Sequence, residues 1–186
     1  MNQKTRWILL AALALVIALP VGWYLLSPLF IDRVVEEQLP IVPAEATAAM
    51  EESMEEPDKM MEEPMPAGEM AEMQILAQGD FYNLAHEGGG RATVYELADG
   101  SRVLRFEDFE VLNGPELHVW LVPVDPVPDT VGVEIPGYLD LGLLKGNIGD
   151  QNYNLPPDLD LTDFKSVVIW CQPFRVPFNA APLIAP

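Results

Sequence analysis

The sequence predicts an all-β domain, an antiparallel β-sandwich or small β-barrel, preceded by one transmembrane helix and a disordered acidic linker. Three observations carry that expectation. An uncharged apolar run lies near the N-terminus, an acidic stretch without aromatic residues follows it, and short apolar runs then alternate with Gly-, Asn- and Pro-rich turns. No long segment of this last part keeps the 3.6-residue period of a helix, and several short strands at such spacing favour a sandwich or barrel.

The apolar run, Trp7 to Leu26, reads WILLAALALVIALPVGWYLL, about the 20 residues that a bilayer-crossing helix needs. Lys4 and Arg6 precede it, and Asp32, Glu36 and Glu37 outweigh Arg33 beyond it. The positive-inside rule then places the N-terminus in the cytoplasm. Trp7 at one end and Trp23 and Tyr24 at the other suit the two headgroup levels, and Pro20 introduces a kink. Residues 1–6 are accordingly read as a cytoplasmic tail and 7–31 as a signal anchor in the lipid bilayer. The expected protein is a single-pass one of the cell membrane, its C-terminal domain extracytoplasmic. A cleaved signal peptide is the alternative, but its apolar core is usually shorter and ends in a small-residue cleavage site. No cysteine stands directly after the run, which rules out a lipid-modified amino terminus.

Residues 32–73 hold thirteen acidic residues against Arg33 and Lys59, and no aromatic residue. Such a composition buries too little apolar area to offset the entropy of ordering it, so the expectation is a solvated, self-repelling spacer. Its methionines, Met50, Met54, Met60, Met61, Met65, Met70 and Met73, offer a second reading. Thioethers are soft ligands that suit Cu(I), so the stretch could handle copper, or it could absorb oxidants sacrificially. No His or Cys stands among them to strengthen a copper site.

The chain of 186 residues carries a formal net charge of −19. That balance repels phosphate backbones and excludes nucleic acid as a partner. It disfavours anionic lipid equally, which leaves hydrocarbon as the basis of membrane contact.

The folded domain is expected over 74–186, large enough for one core without disulfides. ATVYELADGSRVLRFEDF reads as two strands joined at Ala98-Asp99-Gly100-Ser101, since Asp-Gly is a strong hairpin signal. ELHVWLVPV and SVVIWCQPF read as further strands, and Tyr138 to Pro157 as tight turns around short extended pieces. In SVVIWC, strand alternation puts Cys171 on one face with Val167 and Ile169, and Val168 and Trp170 on the other. Both faces are apolar enough to be buried.

Four segments in order resemble the DM-thirteen domain family, a small extracellular β module described as an electron-transfer domain and often found with DOMON domains. They are GDFYNLAHEGGGRATVYEL, VLRFEDFEVLNGPELHVWLV, LDLGLLKGNIGDQNYNLP and SVVIWCQPFRVPFNAAPL, together spanning Gly79 to Leu183. The resemblance implies that the family's cysteine falls on Cys171, its early histidine on His86 and its glycine-proline turn on Gly114-Pro115. His118 stands where the family more often has an aromatic residue. The resemblance also implies a lumenal or extracellular module with redox or surface-protein partners.

Cys171 is the chain's single cysteine, so it cannot close a disulfide within the chain. It is the candidate redox residue. Burial would instead make it an inert packed thiol, and an intermolecular disulfide is a third option. Cys171 and His86 together offer a soft and an intermediate ligand that could interest copper or haem iron, with His118 a further ligand if it faces the same way. No cofactor is required by the sequence. A blue-copper ligand set, covalent haem attachment, a dithiol pair and a four-ligand zinc pattern are all missing, as is a G-x-S-x-G hydrolase context, so no enzyme class is expected. Gly88-Gly89-Gly90 is read as a turn, and Asp158, Asp160 and Asp163 as capping or turn residues in preference to a calcium site. The alternative to a redox role is a non-catalytic cell-surface or matrix interaction module.

Overall fold

In the computed structural model, residues 2–27, 31–40 and 73–186 are described. The apolar run forms a helix, α1 (Gln3–Leu26), capped by the Asn2 side chain, which accepts from the Thr5 amide at 3.0 Å. Pro20 lies inside it. Twenty-four residues span about 36 Å, enough to cross a bilayer. Its mean hydropathy over Gln3–Tyr24 is 2.1, and no part of that stretch is buried against the rest of the chain. By length and composition such a helix can act as a membrane anchor or a signal sequence.

The remainder is mostly β, in two antiparallel sheets packed as a sandwich. One contains β1 (Gln74–Asp80), β3 (Gly88–Glu96), β4 (Arg102–Val111) and β7 (Gln151–Asn154), in that spatial order. The other has the order β2 (Tyr82–Asn83), β9 (Val176–Pro182), β8 (Ser166–Cys171), β5 (Leu117–Val122), β6 (Leu139–Leu143). The β3–β4 hairpin closes where Asp-Gly predicts it. Gly100 takes φ +79, and the Asp99 carboxylate accepts from the Ser101 amide at 2.9 Å and its hydroxyl at 2.6 Å.

Between the sheets, Val94, Leu104, Phe106, Phe109, Val119, Leu121, Val167, Ile169 and Cys171 pack into one interior. The outer face of the second sheet holds a smaller apolar cluster of Trp120, Val122, Val168 and Trp170, joined by Val127 and Ile135 from the segment that follows β5. Every residue of β8 is therefore buried, with its two faces in different clusters.

Two expectations change. Gly88-Gly89-Gly90 is not a free turn but the start of β3, with a bulge between Gly89 and Arg91. A methyl group on Gly90, at φ +103, would lie 2.6 Å from the Phe109 Cα, so only glycine lets β4 approach. Residues 32–40, read as spacer, instead run along the loop between β6 and β7. The Val35 and Glu37 amides donate to the Ile148 and Asp150 carbonyls, each at 2.9 Å, and Val34 bridges Ile148 in parallel. Main-chain pairing does the binding, so an acidic composition is no obstacle.

Side chains reinforce this strap. Asn147 accepts from the Arg33 amide at 2.7 Å and donates to Asp32 at 3.0 Å. The Glu37 carboxylate takes Lys145 Nζ and the Asn152 amide, each at 2.8 Å. Burial pushes its acidity the other way, but those hydrogen bonds hold the Glu37 carboxyl below its usual range. Arg105, 7 % exposed, donates to the Glu37 carbonyl at 2.9 Å, to Asn152 at 3.0 Å, to Glu107 at 3.2 Å and to Asp150. Residues 41–72 lie outside the described residues.

Arg105→Leu should lower stability by about 3 kcal/mol, the low end for breaking a buried pair because Asp150 and Glu107 keep some solvent. The check is a denaturant midpoint on the detergent-solubilised chain. An unchanged midpoint would show that the guanidinium is dispensable.

Candidate functional site around Cys171 and His86

Cys171 ends β8, opposite Leu117 of β5 and Val176 of β9. It is fully buried, sharing the interior with Val167 and Ile169 as alternation predicts. Burial pushes its thiol pKa up, against the opposing pull of hydrogen bonds from the Phe174 and Glu116 backbones. A thiol in this setting stays protonated and out of reach. It is thus a poor nucleophile and a poor participant in disulfide exchange.

His86 lies in the loop between β2 and β3. Its backbone is tied down by donation to the Phe178 carbonyl at 3.3 Å and by acceptance from Asn179 Nδ2 at 3.1 Å. Its ring packs on that of Phe178, centroids 4.0 Å apart, and partial burial lowers its pKa. Phe178 itself belongs to the interior that holds Cys171. The imidazole thus covers one end of that interior by way of an aromatic ring.

His118 faces away from Cys171. Its register partner across β5 and β8 is Trp170, so it stands on the outer face of the second sheet, whereas Cys171 points inward. There its Nδ1 meets Asp140 at 2.9 Å and its Nε2 approaches Glu116 at 3.5 Å. On the same face Tyr138, Trp120 and Trp170 stack nearly parallel, with centroids 3.8 and 4.5 Å apart.

Among the described residues no group of three or more His, Cys, Asp or Glu side chains could hold a metal ion. An apolar interior with one protonated thiol does not meet the needs of copper, which takes several His or sulfur ligands, or of haem iron, which takes a thiolate or an imidazole with an open face. Of the aspartates considered for calcium, Asp160 caps a short 3-10 turn (Leu161–Asp163), accepting from the Thr162 amide at 2.9 Å and its hydroxyl at 2.7 Å. Met73 is described and exposed, and the other six methionines of the acidic stretch lie outside the described residues.

Sequence reasoning missed the strap and its partners on 145–152. The only signal was the paired glycines of KGNIGD. A methyl on Gly146 would run into the Arg33 carbonyl, and one on Gly149 into that of Val35. Gln151 fixes the same loop from inside. Fully buried, it donates to the Gly146 carbonyl at 2.9 Å and accepts from the Tyr153 hydroxyl at 2.7 Å.

A family model described as electron transfer DM13 matches residues 80–183, more than half of the chain. No curated protein and no solved structure matches.

In native protein a maleimide should leave Cys171 unlabelled over hours and label it once denaturant is added. Rapid native labelling would show that the thiol is accessible. His86 should titrate below 6.5 in imidazole NMR, because burial favours its neutral form. Its share of stability is then complete above 6.5 and lost as pH falls through the lower folded value. A midpoint at or above 6.5 would contradict that placement.

Proposed function

Because the chain belongs to the electron transfer DM13 family, we propose that it is a membrane-anchored, extracytoplasmic electron-transfer module with Cys171 at its centre and His86 beside the same interior. α1 is the anchor in this reading, with the N-terminus cytoplasmic and the β domain outside. The observation that carries it is the family match coinciding with the chain's single cysteine at the end of its most buried strand. Burial limits the chemistry. A thiol that neither ionises nor meets another sulfur does not work by disulfide exchange. No hydrolase or transferase role is proposed.

A second reading is favoured by the same burial: Cys171 only packs, and the domain is a cell-surface interaction module. Copper handling by the methionines of the acidic stretch is a third, and it requires that deleting Met50 to Met73 abolish copper binding.

The deciding experiment is metal and haem analysis with absorption spectra under oxidising and reducing conditions, on protein extracted natively from its membrane. The electron-transfer reading expects a redox-dependent signal that Cys171→Ser removes while the domain stays folded. No metal, no haem and no signal would leave the interaction module. In that case Cys171→Ser should only cost stability, about 1–3 kcal/mol for a hydroxyl placed in the core.

A further inference from the structure

The strap changes where the domain can be. α1 and its capping residue end at Ser27, and by Ile31 the chain is already on the domain, where the Ile31 carbonyl accepts from Asn113 Nδ2 at 2.5 Å. Four residue steps reach at most about 14 Å. The point of attachment therefore lies within that distance of the helix end, which is comparable to the headgroup layer flanking the hydrocarbon core.

The end of the sandwich at this attachment is unusually apolar on its outside. Asn113 opens the turn between β4 and β5, and Leu112 beside it is 50 % exposed. Leu143, at the end of β6, lines one cleft with Ile31 and Ser27 and is 59 % exposed. The β8–β9 turn is at the same end, since the Gln172 amide donates to the Glu116 carbonyl at 3.0 Å, and Phe174 at its tip is 54 % exposed. Val131 and Val133 adjoin it, held there by the Gly132 amide on the Arg175 carbonyl at 2.8 Å. Toward the opposite end, with the Asp99-Gly100 turn, the exposed large apolar side chains among the described residues are fewer: Met73, Ile75, Tyr138 and Ile184.

We infer that this end of the sandwich, with Ile31, Leu112, Leu143 and Phe174, is a lipid-docking surface that the strap holds against the outer face of the bilayer. The inference rests on α1 being a membrane anchor. Exposed apolar groups grouped at one end are expected where a surface meets a membrane, and the occupant follows from the length of chain to α1. An overall charge of −19 disfavours anionic lipid, so the surface suits zwitterionic headgroups. Two consequences follow. Gln38 is bound to the domain and β1 begins at Gln74, so the acidic stretch does not separate domain from membrane. The end of the interior that carries Cys171 faces the bilayer.

The test uses the full chain in phosphatidylcholine vesicles containing a headgroup-nitroxide lipid. A bimane fluorophore is placed through Leu143→Cys, Phe174→Cys or, at the far end, Asp99→Cys. The inference expects quenching severalfold stronger at positions 143 and 174 than at 99, and weaker when anionic lipid is added. Glu37→Lys, which opposes Lys145, and Gly146→Val, which obstructs the strap, should each reduce the quenching at 143 toward that at 99. Equal quenching at all three positions in protein that floats with the vesicles would overturn the docking surface and leave the anchor standing. Protein that does not float with vesicles would overturn the anchor itself.

Discussion

The guanidinium of Arg105 is the interaction on which the arrangement of this domain depends. A buried arginine is tolerated only if its charge and its donors are met, because the desolvation cost is several kcal/mol. Here the partners come from three places: Glu107 on its own strand, Asp150 and Asn152 at β7, and the main chain of Glu37. One side chain thereby joins the β4–β7 edge of the sandwich to a segment 68 residues earlier. With the Glu37 carbonyl held, its carboxylate is in reach of Lys145 and the Asn152 amide, and the strap closes over the edge of the loop. An edge that would otherwise offer unpaired backbone groups is covered by the chain itself.

The second constraint is the double burial of β8. A strand with apolar clusters on both faces has no solvent side, and its residues differ only in which cluster they join. Cys171 joins the interior of the sandwich, and its neighbour Trp170 joins the aromatic stack outside. This separates the chain's thiol from His118 and from Asp140, the carboxylate that meets the His118 Nδ1. The groups able to carry redox or metal chemistry are thus distributed over two faces of one sheet. In this member of the electron transfer DM13 family the thiol is therefore protonated and enclosed on one face, with the ionisable groups on the other.

Much of this architecture was legible in the sequence, because it follows from local rules. An Asp-Gly pair between alternating runs specifies a hairpin. SVVIWC is apolar at odd and even positions alike, so it needs cover on both sides, and it has it. The placement of Cys171 with Val167 and Ile169 needs nothing beyond the two-residue repeat of a strand. The candidate ligands were less legible, since facing is decided by register: His118 opposite Trp170 is a fact about β5 and β8 together. The glycine run at 88–90 has the composition of a turn, and only the approach of β4 makes it a bulged strand.

By itself the sequence determined the apolar helix, the strands and the buried thiol, since each depends on the pattern of side chains along a few neighbouring residues. The strap was decided by tertiary structure alone. Its contacts join three backbone hydrogen bonds to side chains from distant positions, among them Asn147, Lys145 and Arg105, and its receptor is shaped by the missing side chains of Gly146 and Gly149, more than 100 positions away. Acidic composition marks residues 32–40 as solvated, and by local physics that is sound. What orders them is the buried charge of Arg105 and the exposed edge of a loop, neither of which exists until the sandwich has formed.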